Sequence, residues 1–315
     1  YARQKAAELR IHTRLDFVET DLRQSHEYRQ LLANAIYFPN DHILNLSREL
    51  KLLSIPGSVL NAEELQLIRK LAESMEKLFR WFDAERREAY PALTKVISQT
   101  YYEKLIAELI SEVLDEYGQI RDNASEDLKN IRMSLFRKRN ELRRLFEKIV
   151  AKLNKQGFLA EIEESFMSGR RVLAVLAEQK RTVKGILHGE SDSRKTAFVE
   201  PEETIELNNV ISDLESSEQK EIYRILRELT GKLALYATIL QDWHTVVGEY
   251  DFIRAKAKLA IEIKAEYPTV SDKAGINLIE AYHPLLYLYN QRTGKPTIPL
   301  SITLDETRRI LVISG

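Results

Sequence analysis

Apolar residues recur at steps of three and four over most of the chain, the spacing that lines one face of an α-helix. Up to about residue 120 this periodicity predicts helices near 2–36, 62–86 and 100–117, with breaks at Phe38-Pro39-Asn40-Asp41, Ile55-Pro56-Gly57 and Tyr90-Pro91. Asn61, followed by Glu63 and Glu64, supplies a side-chain acceptor and early carboxylates to the free N–H groups of a helix start. Ser125 with Glu126 and Asp127 does the same for a second long helix. Its apolar positions Leu128, Ile131, Leu135, Leu142, Leu145 and Ile149 approach an a/d seam that Lys138 interrupts. From Pro201 to Pro268 there is no internal proline, and Ile222, Ile225, Leu229, Leu233, Tyr236, Leu240, Trp243, Val247 and Tyr250 keep the helical step. A helix across 202–266 would be about 95 Å long at ~1.5 Å per residue, more than a globular core needs, so an antiparallel pair with the segment from Ser125 is expected.

Between these two segments the pattern changes to strand. Met167-Ser168-Gly169-Arg170 reads as a turn, and Val172 to Leu176, Val183 to Leu187 and Thr196 to Val199 read as strands. Beyond Pro268, strands are expected at Ile276 to Ile279, Ile298 to Leu304 and Ile310 to Ile313. The last is a short continuous apolar run of the kind carried by a strand buried on both faces, and Ser314-Gly315 follow it. The predicted fold class is therefore mainly α. We expect a helical core over 1–120, an ascending helix over 121–166, a small β tip over 167–201, a descending helix over 202–266, and a new β-containing domain starting within 267–315.

Composition supports long helices: charged residues make up 30 % of the 315, and Gly and Pro together occupy only 19 positions. The absence of Cys excludes disulfide scaffolds and thiolate zinc sites. No apolar run approaches about 18 residues and the opening YARQKAAELR lacks a signal-like apolar stretch, so a cytoplasmic protein without a membrane span is expected. The net charge of −1 hides an asymmetry, because residues 132–195 hold sixteen Lys/Arg against eight Asp/Glu.

Those cations are the candidate chemistry. Arg170, Arg171, Lys180, Arg181, Lys184, Arg194 and Lys195 in the β tip are of the type that replaces counterions around nucleic-acid phosphates, and no interleaved aromatics suggest base stacking. Arg137, Lys138, Arg139, Arg143, Arg144 and Lys148 crowd one helical stretch, which a solvated helix face explains as well. His188-Gly189-Glu190, with Asp192 near, superficially matches the His-x-Glu of zinc deaminases, but without Cys the other ligands of that chemistry are missing. His244 and His283 read as structural, and no Ser/His/Asp set or paired-carboxylate site stands out.

One stretch is more specific: Val183-Lys-Gly-Ile-Leu-His-Gly-Glu-Ser-Asp-Ser-Arg-Lys-Thr-Ala-Phe-Val-Glu-Pro201, followed by Glu206-Leu-Asn-Asn209 and Glu221-Ile-Tyr-Arg-Ile-Leu-Arg-Glu-Leu-Thr230. With Asp122 to Arg132, Tyr250-Asp-Phe-Ile-Arg-Ala-Lys-Ala257, His283-Pro-Leu-Leu286 and the closing Leu311-Val-Ile-Ser-Gly315, it resembles the MutS family in its second bacterial branch, MutS-two. The resemblance runs from about residue 118 to the end. It implies a helical core, a two-helix lever, a clamp at the lever tip, and the first strands of an ATPase domain cut just before its phosphate loop.

For the longer parent the resemblance implies a homodimer that binds ATP and Mg and carries an Smr nuclease domain. Its partners would be branched or duplex DNA, contacted through the backbone to suppress recombination, or the RNA of collided ribosomes. By the same analogy Thr297 and Ile298 fall where an adenine pocket begins, while plain strand core explains Ile298 equally, and Gly315 opens the phosphate loop. The phosphate-loop Lys and Ser, the Walker-B acid and the nuclease lie outside this sequence, so the fragment is expected to transmit and clamp without hydrolysing ATP. Where the family usually has Ser-Gly-Ala-Thr this chain has Ser193-Arg194-Lys195-Thr196, which adds charge and puts the turn geometry in question. A coiled-coil tether without nucleic-acid contact is the alternative that the near-neutral total charge permits. A self-contained enzyme is the third, and the missing catalytic constellations count against it.

Overall fold

The computed structural model describes residues 2–40 and 45–312, with helices predominating. The chain divides into two compact units, the first made of 1–54, 64–108 and 233–315 and the second of 55–63 and 109–232.

The first unit is built on helices α1 (Ala2–Ala7), α2 (Leu15–Ala33), α3 (Ser47–Leu53), α4 (Ala62–Trp81), α5 (Ala84–Ala89), α6 (Pro91–Ile97), α7 (Lys104–Val113), which runs on into the second unit, and α10 (Ala237–Glu262). The expected helix at 2–36 is two helices. Residues 8–14 stay outside them, because an apolar side chain such as Ile11, 95 % exposed, finds nothing to pack against. Phe38 centres the aromatic core, its ring 4.8 Å from Trp81, 5.2 Å from Tyr28 and 5.0 Å from Tyr250. Two of its polar side chains reach backbone carbonyls: Trp243 Nε1 donates to the Tyr101 carbonyl at 2.9 Å and the Tyr250 hydroxyl to the Leu93 carbonyl at 2.9 Å. Glu27 accepts the free N–H groups of Ala92 and Leu93 at 2.9 and 2.8 Å, capping α6 from another helix.

The same unit holds strands β5 (Ile276–Ala281) and β6 (Leu300–Leu304), paired antiparallel, with α11 (Pro284–Thr293) between them in sequence. The strand expected over 310–313 is not formed at 310–312, and Ile313 lies outside the described residues. A strand of that composition needs a neighbour on each side and a covering layer on each face. Among the described residues Ile310 and Val312 have neither, and they are 84 % and 83 % exposed.

The single helix expected over 202–266 is interrupted: α9 (Glu202–Ala234) ends and α10 begins at Ala237, with Leu235 85 % exposed between them. The apolar seam changes clients here. Ile211 and Ile225 belong to the second unit, whereas Trp243, Val247 and Tyr250 belong to the first.

In the second unit α8 (Glu126–Lys155) starts as expected, Ser125 Oγ accepting the Leu128 N–H at 3.0 Å. It runs antiparallel to α9, with Arg132 2.7 Å from Glu218, Arg139 2.7 Å from Glu215, and Leu135 and Leu142 packed on Ile211. The helix expected to continue to residue 166 stops at Lys155. Gly157 (φ +72) returns its N–H to the Asn154 carbonyl and the Phe158 N–H reaches the Leu153 carbonyl, a Schellman closure. Residues 159–167 are instead strand β1 (Leu159–Met167), so the sheet starts eight residues earlier than the sequence suggests. The helix-favouring glutamates of β1 are overruled by its ladder with β2.

Four antiparallel strands form the sheet: β1, β2 (Arg170–Leu176), β3 (Gly185–Glu190) and β4 (Thr196–Pro201), in the order β1-β2-β4-β3. Ser168 (φ +50) and Gly169 (φ +79) make the two-residue hairpin between β1 and β2. One sheet face presents Leu173, Val175 and Val199 to Phe146 and Leu153 of α8.

Candidate nucleic-acid interface

The opposite face of the sheet closes on α9 through a buried carboxylate. Glu200, with no solvent exposure, accepts Arg170 Nη1 at 2.8 Å and Asn208 Nδ2 at 2.9 Å on Oε1, and His188 Nε2 at 2.6 Å on Oε2. Burial pushes this carboxyl up, but the hydrogen bonds from His188, Asn208 and Arg170 outweigh it and hold it below the usual carboxylate range. Arg170 also donates to Asn209 Oδ1 at 2.5 Å. Three strands and the first turns of α9 thus meet at one anion. Sequence reasoning missed Glu200 and Asn208, and the available signal was an acid inside an otherwise apolar strand.

The seven tip cations separate on this geometry. Arg170 serves Glu200, and Arg171 forms a two-pronged bond to Glu164, both distances 2.9 Å, with its guanidinium 4.7 Å above the Phe146 ring. Lys180 pairs with Glu190, whose carboxyl is held below its usual range first by that hydrogen bond and then by the Lys180 charge, with Arg194 adding to it. Arg181, Lys184, Arg194 and Lys195 are exposed and make no ion pair among the described residues. Lys180 and Arg194 converge on Glu190, and the Lys195 carbonyl accepts the Ala177 N–H next to them. Lys184 stands at the other end of β3, beside Gly185.

The β3–β4 turn keeps its shape without glycine. The Arg194 N–H donates to the Ser191 carbonyl at 2.8 Å, and Arg194 takes φ +54, a left-handed conformation that side chains rarely adopt. Gly185 is needed for a different reason. A Cβ there would stand 2.0 Å from the Glu200 carbonyl oxygen, where β3 crosses onto β4.

The remaining candidates are structural. His188 and Glu190 are taken up by Glu200 and Lys180, and the described residues hold no group of three metal-ligating side chains. His244 Nε2 accepts the Leu46 N–H at 3.3 Å, and His283 Nδ1 caps α11 through the Leu286 N–H at 3.3 Å. The Thr297 hydroxyl accepts Asn290 Nδ2 at 3.0 Å. Ile298 precedes β6 and is 87 % exposed, so it is not strand core, and Gly315 lies outside the described residues. Among the described residues no helix is long and apolar enough to cross a membrane.

No family model matches the chain. It is similar to proteins named endonuclease MutS2 from several bacteria. That of Carboxydothermus hydrogenoformans is 31 % identical over 82 % of this chain and 32 % of its own length. That of Halothermothrix orenii is 30 % identical over 96 % and 38 %, and that of a Geobacillus species 31 % over 89 % and 35 %. The chain therefore spans between 32 % and 38 % of the length of these relatives. With the Glu200 staple and the sheet-capped helix pair lying in the stretch that carries the motifs, the chain belongs to the MutS2 family.

Proposed function

We propose that the second unit is the nucleic-acid-clamping element of a MutS2 protein, an antiparallel helix pair whose terminal sheet contacts phosphate backbones. The observation that carries this reading is the sorting of the tip cations. Among the described residues Arg181, Lys184, Arg194 and Lys195 are exposed and make no ion pair, Arg194 acting on Glu190 only through its field, where Arg170, Arg171 and Lys180 are neutralised by Glu200, Glu164 and Glu190. Exposed cations in a stretch, 180–195, that carries no Phe, Tyr or Trp suit contact with phosphate and sugar rather than reading of bases. For a protein of its relatives' length, roughly two and a half times this chain, the reading extends to an ATP- and Mg-using homodimeric endonuclease acting on branched DNA or on ribosomal RNA in the cytoplasm.

Fluorescence anisotropy tests the clamp. Replacing Arg181, Lys184, Arg194 and Lys195 by Ala in the intact protein is expected to lower the slope of log affinity against log salt by about 0.9 for each duplex-DNA phosphate that is no longer neutralised. Unchanged affinity and slope, for branched DNA and for ribosomes alike, would leave the tether reading in its place.

A further inference from the structure

Helix α8 carries its own sorting of charge. Lys129, Arg132, Lys138, Arg139 and Arg143 all meet a carboxylate: Glu126, Glu218 with Asp122, Glu141, Glu215 and Glu147 respectively. Arg137, Arg144, Lys148, Lys152 and Lys155 are exposed and meet none among the described residues. The unpaired five follow one another at steps of seven, four, four and three residues. At ~100° per residue they fall within about 80° of arc, and at ~1.5 Å per residue they extend over about 27 Å. That arc lies opposite Leu135, Leu142, Phe146 and Leu153, the buried side of the helix. Glu141 is the single acid within it, and its carboxylate is already held by Lys138 at 2.8 Å.

Arg144, Lys148 and Lys152 are successive like charges four residues apart, an arrangement that weakens a helix by repulsion. Acids at two of these positions would have been favourable, as Glu147 is for Arg143. Asn140, Leu145 and Leu207 join Arg137, Arg144 and Lys148 around a shallow groove of about 520 Å³. Its lining is mostly polar or charged, and it holds no aromatic anchor of the type that dominates protein–protein affinity. A straight row of unpaired cations instead complements a polymer with regularly repeated negative charge.

We propose that this outward face of α8 is a second phosphate-backbone surface, distinct from the sheet cations, along which DNA or RNA lies lengthwise. It rests on the reading of this unit as a nucleic-acid element. A row of about 27 Å spans the axial rise of roughly eight base pairs at ~3.4 Å each, so its five cations can meet the phosphates that wind past that line.

The test compares variants of equal charge in the intact protein. Arg144→Ala/Lys148→Ala/Lys152→Ala removes three unpaired cations, and Lys129→Ala/Arg139→Ala/Arg143→Ala removes three paired ones from other sides of the same helix. A third variant carries the four sheet substitutions, and all are titrated with duplex DNA and with double-stranded RNA over a salt series. The first variant is expected to bind about tenfold or more weakly near 0.1 M salt, with a DNA salt slope lower by about 2.7. The paired-cation variant is expected to lose less than a third of that, and the first variant to melt at an unchanged or higher temperature because repulsion is relieved.

Equal losses in the first two variants would reduce the effect to net charge and overturn the proposal. No loss in the first variant alongside a loss in the sheet variant would also overturn it, while leaving the clamp reading standing. Unchanged binding in both would remove both readings. Unchanged nucleic-acid binding together with abolished binding of a poly-glutamate peptide would assign the surface to an acidic protein instead.

Discussion

The guanidinium of Arg170 lies 2.8 Å from Oε1 of Glu200, a carboxylate with no solvent exposure, and this bond turns an apparent surface cation into part of the sheet's attachment to α9. Removing one partner of a buried pair leaves the other desolvated and unpaired, the costly half of such an interaction. Glu200→Ala is expected to destabilise the second unit by about 3–5 kcal/mol, since Arg170, His188 and Asn208 all lose their acceptor. Arg170→Ala is expected to act in the same direction, and Arg181→Ala to stay within about 0.5 kcal/mol of the parent. Urea unfolding followed by far-UV circular dichroism measures all three. An Arg170→Ala protein as stable as the parent would return that residue to the candidate phosphate ligands.

Gly185 lies against the main chain of Glu200. Its ladder partner is Pro201, with Ile186 opposite Glu200, and a Cβ would come within 2.0 Å of the Glu200 carbonyl oxygen. Gly185→Ala is expected to cost at least about 2 kcal/mol by forcing β3 away from β4. Hydrogen exchange should speed up at the amides of β3 while those of β1 and β2 stay protected.

Acid should act on two buried or paired carboxylates, Glu221 and Glu27, in opposite ways. Glu221 is held at about 2, first by its hydrogen bond from Arg224 and then by the Ser125 hydroxyl at 2.6 Å. Glu200 is also lowered, its hydrogen bonds outweighing burial. A depressed folded value means that stability is fully present above the ordinary value of about 4.5 and is lost as pH falls towards the folded one, for Glu221 about 2. Glu27 runs the other way, because burial raises it against the pull of the Ala92 and Leu93 N–H groups. Its contribution is complete below about 4.5 and fades as pH rises through its folded value. Trp81 and Trp243 both lie in the unit of Glu27, so tryptophan fluorescence reports that unit alone. Glu221→Gln should reduce the loss of far-UV signal between pH 4.5 and 2, and leave the tryptophan transition in place.

Arg194 separates stability from binding. A side chain at φ +54 costs about 1–2 kcal/mol, which glycine avoids. Arg194→Gly is expected to stabilise the tip by roughly 1 kcal/mol while lowering the duplex-DNA salt slope by about 0.9. Changes of the same sign in melting temperature and affinity would show that Arg194 acts through the fold.

Much of this protein was legible in the chain because the signals are local. Ser125 as a cap, the Ser168-Gly169 turn, and the strands through Val172 and Thr196 each depend on a few adjacent residues, and each stands where the pattern puts it. Gly157 was also a readable stop. It was passed over because Leu159-Ala-Glu-Ile-Glu-Glu continues with helix-favouring residues, and only the ladder to β2 makes that segment a strand. The break at Leu235 escaped periodicity for a related reason: steps of three and four persist across it while the surface being covered changes.

The sequence by itself determined the helical class, the position of the β tip and its excess of positive charge, since periodicity and composition are properties of neighbours along the chain. Which of the tip cations are free was decided by tertiary structure. Arg170 and Arg181 look alike in the sequence, yet one meets Glu200 from thirty residues away and the other meets no carboxylate among the described residues. On α8 the same step of three or four residues gives Arg143 a partner and leaves Arg144 without one, because a charge is neutralised by what the fold brings within hydrogen-bond reach.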